Sequence, residues 1–150
     1  MTRDDFAGVP DTDIVVGVDG SPSSRAAVRW AVTQARHTRG RVRAVTAWEI
    51  PVYAGWLPTA PYDELAVVAG KILGESVGEV LASQEAGVEV AESVVPGHPA
   101  QVLVDESARA SLLVVGSRGR GTFAGTLLGS VSQHCVQHAH CPVVVVRGKS

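Results

Sequence analysis

Residues 114–130 read VVGSRGRGTFAGTLLGS. Five glycines and two arginines follow an apolar start, and no acid interrupts them. Upstream, Leu112 to Val115 has the apolar, β-branched character of a buried strand. Downstream, a helix is expected from about Thr126 to His138. The loop thus follows a buried strand and enters a helix, as a ligand-binding loop of an α/β sheet or a mere tight turn does. In doubly wound sheets of that kind, ligands bind beyond the carboxyl ends of the strands, where the strand order reverses.

The same alternation extends outward in both directions. Asp13 to Val18 reads as a buried strand that ends at Asp19-Gly20-Ser21. Ser21 caps a helix with Pro22 in its first turn, which runs to about Arg39 and is stopped by Gly40. Val42 to Trp48 is a second strand. Pro51 to Pro61 is a proline-rich loop, in which Tyr53 and Trp56, with Trp48 and Tyr62 beside them, are expected to pack over the second strand rather than to cover the mouth of a binding site or a partner surface. Tyr62 to Ala86 is helical, with Gly70, Gly74 and Gly78 on one face, expected to pack closely on the sheet. Val88 to Val95 alternates apolar and polar, as a strand near an edge does. Pro99 opens a helix to about Ala110, and Val143 to Val146 forms a last strand. Strands and helices in alternation predict a parallel sheet with helices on both faces.

The 150 residues suit a single domain, with residues 1–12 expected to be a flexible polar leader. At 45% hydrophobic and 19% charged the composition is that of a soluble globular protein. No apolar run has the length of a membrane helix. Two cysteines, Cys135 and Cys141, do not make a disulfide framework, and a cytoplasmic setting is expected. All the acids lie in residues 1–106, whereas residues 107–150 hold five lysines or arginines and no acid. That asymmetry favours an anionic ligand. It is too sparse for a nucleic-acid surface.

Within the loop, glycines permit positive φ and the close approach of a ligand. Exposed amides cradle phosphate oxygens, and the N-terminus of the following helix adds donors and partial positive charge. Ser130 adds a hydroxyl. Arg118 and Arg120 either add charge-assisted hydrogen bonds or are solvated loop arginines. Asp19, an acceptor when ionised, suits ribose hydroxyls, and it also suits a helix cap. The P-loop pattern fails because Thr122 stands where lysine is required after Gly121. A dinucleotide pattern at Gly119, Gly121 and Ala124 lacks any later acid for the ribose.

A longer pattern fits better. Gly116-x2-Gly119-x9-Gly129-Ser130 resembles the G-x2-G-x9-G-[ST] signature of the universal stress protein family. IVVGVDGSPSSRAAVRWA from Ile14, VVPGHPAQVLVDESA and CPVVVVR are similar to other segments of that family. The resemblance spans about residues 13–147. It implies an open five-stranded parallel sheet in the order 3-2-1-4-5, Rossmann-like and akin to the adenine nucleotide alpha hydrolases. It further implies the ATP-binding branch, with Mg2+ as a companion of the nucleotide. By position, Asp19 would hold the ribose, Gly17 would line the adenosine pocket, and the Ala47 backbone would meet adenine. Gly116, Gly119, Gly129, Ser130 and Val131 would contact phosphates, with Ser117, Arg118, Arg120, Gly121 and Thr122 completing the cradle. Ser111-Leu112 departs from the family, where an acid often precedes the fourth strand. The family commonly dimerises through its last strands. Val143, Val144, Val145 and Val146, as a short apolar edge, support a homodimer independently.

His134, Cys135, His138, His140 and Cys141 contain an i, i+4 histidine pair, but are read as helix-end chemistry rather than a metal site. The expected function is regulatory binding of ATP in stress response, without catalysis. No P-loop lysine is present, and no acid follows the loop to hold Mg2+. The alternatives are a slow ATPase or adenylyl-transfer enzyme, a scaffold with an empty site, and a cyclic-nucleotide or dinucleotide receptor in the same crevice.

Overall fold

A computed structural model of the chain describes residues 13–49, 62–84, 87–118 and 128–148. Five strands, β1 (Asp13–Gly17), β2 (Arg41–Trp48), β3 (Val90–Pro96), β4 (Leu112–Gly116) and β5 (Val143–Val146), alternate with four helices. The helices are α1 (Pro22–Thr38), α2 (Tyr62–Ala82), α3 (Pro99–Ser107) and α4 (Ser130–His138). All strand pairs are parallel, in the order β3-β2-β1-β4-β5. This is the sheet that the glycine signature implied. The order reverses between β1 and β4, whose registers run Ile14 with Leu112 to Val16 with Val114.

Each strand divides its side chains between two cores, because successive residues point to opposite faces. Ile14 and Val16 of β1, Val42 and Ala44 of β2, and Val114 of β4 pack under α1 and α2. The helices answer with Ala27, Val28, Ala31, Val32 and Ala35 of α1, and Leu73, Val77 and Val80 of α2. Val15, Val45, Leu113 and Val115 face the other way, against Val102 and Leu103 of α3 and Cys135 of α4. Each fully buried valine or leucine here contributes about 1.5–3 kcal/mol relative to an exposed one. β3, at one end of the sheet, is largely exposed, as its alternating sequence predicts.

Three local expectations are corrected. α1 is stopped by Arg39, not Gly40: Arg39 adopts the left-handed conformation at φ 56°, and Gly40 N–H returns to the Ala35 carbonyl at 2.8 Å. α2 ends at Ala82 rather than Ala86, closed by Ser83 N–H on the Val80 carbonyl (3.1 Å) and Gln84 N–H on that of Leu81 (3.3 Å). The α2 glycines also make no close approach to the sheet. A side chain on Gly70 or Gly74 would meet Val94 or Glu92 at ordinary contact distances of 3.6 and 3.5 Å, and one on Gly78 would meet nothing within 4 Å. Leu73, Val77 and Val80 make that packing instead. The Pro51 to Pro61 loop, with its Tyr53 and Trp56, lies outside the described residues.

Gly116 behaves differently from these helix glycines. It ends β4 directly against the first turn of α1, and a Cβ there would lie 2.5 Å from Ser23 Oγ and 2.7 and 2.9 Å from the Ser23 carbonyl carbon and oxygen. Gly148, after β5, approaches the same residue, with its Cβ position 2.5 Å from Ser23 Cα. The two kinds of glycine therefore differ in their response to alanine. Gly78→Ala is expected to stabilise the fold by about 0.5–1 kcal/mol, the helix-propensity gain. Gly116→Ala is expected to destabilise it by about 1–3 kcal/mol, because backbone must move. Urea unfolding of both variants checks the pair, and a neutral Gly116→Ala would refute the packing.

Candidate functional site

The crevice begins where β1 ends. Val18 leaves the strand with its N–H on the Val45 carbonyl at 2.9 Å. Asp19 follows, then Gly20 at φ 83°, a conformation that suits glycine. Ser21 is the N-cap of α1, and its hydroxyl accepts the Ser24 N–H at 3.2 Å. Asp19 is thus not the cap itself. Its Oδ1 accepts the Ser21 N–H at 2.8 Å, an Asx turn that holds the carboxylate beside the helix start. Ser24 Oγ accepts the Asp19 N–H at 3.3 Å, and Arg25 Nη1 donates to the Gly20 carbonyl at 2.6 Å.

β4 ends one strand away. Ser23 Oγ donates to the Arg118 carbonyl, which draws the start of the glycine loop onto α1. Ser117 is buried and serves as a joint. Its N–H donates to the Val146 carbonyl at 2.8 Å, and its own carbonyl accepts the Gly129 N–H at 2.7 Å and the Ser132 hydroxyl at 3.1 Å. These bonds seat the start of α4 beside the ends of β4 and β5. The N-cap of α4 is Gly129, and no side chain caps the helix. The first-turn amides have no partner within the helix and carry its partial positive charge. Gly116 and Gly129 do not have positive φ, so the freedom that glycine offers is not used at either. At Gly116 the missing side chain is what matters.

These ends enclose a cavity of about 260 Å³. Gly17, Asp19 and Ser24 line it from β1 and α1, and Val45 and Ala47 from β2. Gly116 and Arg118 line it after β4, and Ser130, Val131 and Ser132 from the start of α4. The structure therefore brings Gly17, Asp19, Ala47, Gly116, Arg118, Ser130 and Val131 together. Ser117 and Gly129 support the loop through the bonds above. Gly119, Arg120, Gly121 and Thr122 lie outside the described residues.

Sequence reasoning missed the apolar wall. Pro99 and Leu103 of α3, with Val45 and Val115, give the cavity a broad apolar lining. The signal was the Pro-Gly-His-Pro turn at 96–99, which starts a helix near the strand ends. Which side of the sheet that helix covers is not a local property. The cavity thus combines an apolar slot, a carboxylate and a cationic, amide-rich end. That set can hold a flat apolar ring, hydroxyl groups and an anion together.

The histidine and cysteine cluster is dispersed by α4. The rings of His134 and His138 lie side by side, tilted by 43° with centroids 4.5 Å apart, while Cys135 turns into the core. Burial pushes the Cys135 thiol up to about 11 and raises that of Cys141, so neither is an activated thiol. Among the described residues, no three His, Cys, Asp or Glu side chains are grouped to hold a metal ion. Nor is any described helix long and apolar enough to cross a membrane.

Comparisons with known proteins agree with this architecture. The model of the universal stress protein family matches residues 12–147. A universal stress protein of Mycobacterium tuberculosis is 38% identical over 146 residues, covering 93% of this chain and 49% of that protein. The chain spans about half the length of the curated relatives it matches. Among solved structures, a universal stress protein in complex with cAMP has a TM-score of 0.70 and 29% identity, covering 92% of this chain and 98% of that one. A universal stress protein from Lactobacillus plantarum has a TM-score of 0.72 and 22% identity, covering 91% and 97%, and shows the shared fold. A family match over nearly the whole described chain, with the β1–β4 crevice in place, means that the chain belongs to the universal stress protein family.

Proposed function

We propose that the chain is a regulatory module that binds an adenine nucleotide, with ATP as its ligand, in the response to stress. One observation carries this reading: a single cavity joins Asp19 to the uncapped start of α4 across an apolar slot. The slot suits the base, Asp19 the ribose hydroxyls, and the amides of Ser130 and Val131 the phosphates. Arg118, at the same end, adds positive charge. Mg2+ would travel with the phosphates, since it is commonly held by them and by few protein ligands. Asp19 is the only acid among the described residues lining the cavity. That favours binding over turnover, because phosphate chemistry draws on a positioned base and metal. Under this reading occupancy, not catalysis, is the signal, in a cytoplasmic protein.

The pairing of copies belongs to the same proposal. β5 ends the sheet and carries four half-buried valines, Val143 to Val146. An identical strand related by a two-fold axis would cover that edge. A second ligand reading has a specific support, since a structural neighbour at 29% identity is in complex with cAMP. A cyclic nucleotide would occupy the same cavity with a shorter phosphate reach.

The test is chemical. Protein purified from the cell is denatured, and the released small molecules are identified by mass spectrometry. ATP or ADP at near-stoichiometric yield is the expected result. An empty protein without a thermal shift on adding ATP would remove the reading, and displacement of ATP by cAMP at lower concentration would favour the second one. Asp19→Ala is expected to weaken ATP binding about tenfold or more, the loss of charge-assisted hydrogen bonds to the ribose. Calorimetric titration of that variant measures it.

A further inference from the structure

The turn from β3 into α3 bears directly on the cavity. His98 is the N-cap of α3, and its Nδ1 accepts the Ala100 N–H at 3.2 Å. The first main-chain bond of the helix, from Val102 N–H to the His98 carbonyl, is 2.9 Å. The helix begun there delivers Pro99 and Leu103 to the cavity wall. Leu103 also fills the space that a side chain on Gly17 would take, with Cδ1 2.7 Å from that Cβ position. The seat of α3 therefore sets the width of the slot.

An imidazole that accepts at Nδ1 is neutral and carries its proton on Nε2. That nitrogen faces Glu49 Oε1, just beyond β2, at 3.9 Å. The other acids of α3 are engaged elsewhere: Asp105 accepts from Gln101 at 2.8 Å, and Glu106 pairs with Arg43 at 2.8 Å. His98 is two-thirds exposed, with a relative accessibility of 66%, so protons reach it freely. Once charged, the ring has two donors and no acceptor. It then loses the Ala100 N–H, opposes the positive end of α3, and is drawn toward Glu49.

We infer that His98 is a proton-operated latch on the binding crevice: its charging uncaps α3, loosens the wall made by Pro99 and Leu103, and weakens ligand binding. The ligand in this inference rests on the nucleotide reading, whereas the movement of the wall does not. Acidification is the trigger, because a charged ring can no longer accept the Ala100 N–H. The sign is fixed by the hydrogen bond. The neutral ring holds the wall, so binding is stronger at the alkaline end and is lost as the ring charges.

The test compares the wild-type chain with His98→Asn from about pH 7.5 to about 5.5. Asparagine keeps an acceptor at the cap that does not titrate. Calorimetric titration with ATP is expected to show the wild-type affinity falling about threefold or more relative to His98→Asn, on the scale of a lost cap. The ionisation of ATP itself is common to both proteins and cancels. Parallel pH profiles would overturn the latch. Without ligand, the Ala100 amide and Leu103 methyl resonances should titrate with the His98 ring in the wild type and stay flat in His98→Asn. Leu103 methyls that ignore the ring overturn the latch, whatever ATP does. No ATP binding by either protein would instead overturn the nucleotide reading, and the resonances would still decide whether the wall moves.

Discussion

The architecture depends on how closely the first turn of α1 approaches the end of β4. Ser23 lies against Gly116 on one side and Gly148 on the other, at distances that leave no room for a side chain at either glycine. Its hydroxyl closes on the carbonyl of Arg118. This contact fixes the separation between the β1–α1 turn, which carries Asp19, and the loop that leaves β4. The position of α4 follows, because Ser117 is tied to Val146 of β5 and accepts from both Gly129 and Ser132. The separation of the two turns and the position of α4 are thus consequences of one steric constraint.

The platform beneath it is stiff for an ordinary reason. β1 and β4 sit at the centre of the sheet and bury valines and leucines on both faces. Their sequences are correspondingly near-continuous apolar runs, whereas β3, at an edge, alternates. Two close-packed cores hold the strand ends still, and the turns that follow them supply the chemistry. Local bonds such as Asp19 to Ser21 and His98 to Ala100 then orient those turns.

The folded chain also converts a charge gradient along the sequence into one across a cavity. The acids precede residue 107, and the cations after it have no acid among them. The reversal of strand order sets the end of β1 beside that of β4, so Asp19 and Arg118 line one cavity. α3 closes the space between them with an apolar wall whose seat is held by a titratable cap.

The sequence by itself determined the type and order of the elements, because periodicities of two and of three to four residues are written locally in the chain. Val143–Val146 and Leu112–Gly116 were legible within a residue for that reason, as was the Ser21 cap with Pro22 after it. The glycine spacing from Gly116 to Ser130, read as a family signature, also pointed to the strand order and to most of the polar lining. Other features were decided by tertiary structure alone. Gly78 and Gly116 look alike as letters, yet one faces open space and the other faces Ser23. Arg39 looks like an ordinary end-of-helix cation, yet it takes the strained turn that Gly40 was expected to take. Pro99, Leu103, Ser24 and Ser132 became wall residues only when α3 and α4 packed on one face of the sheet and α1 on the other. Such contacts join residues as far apart as Ser23 and Arg118, 95 positions along the chain. Local propensity carries no information across that distance. Strand order and side-chain volume decide it.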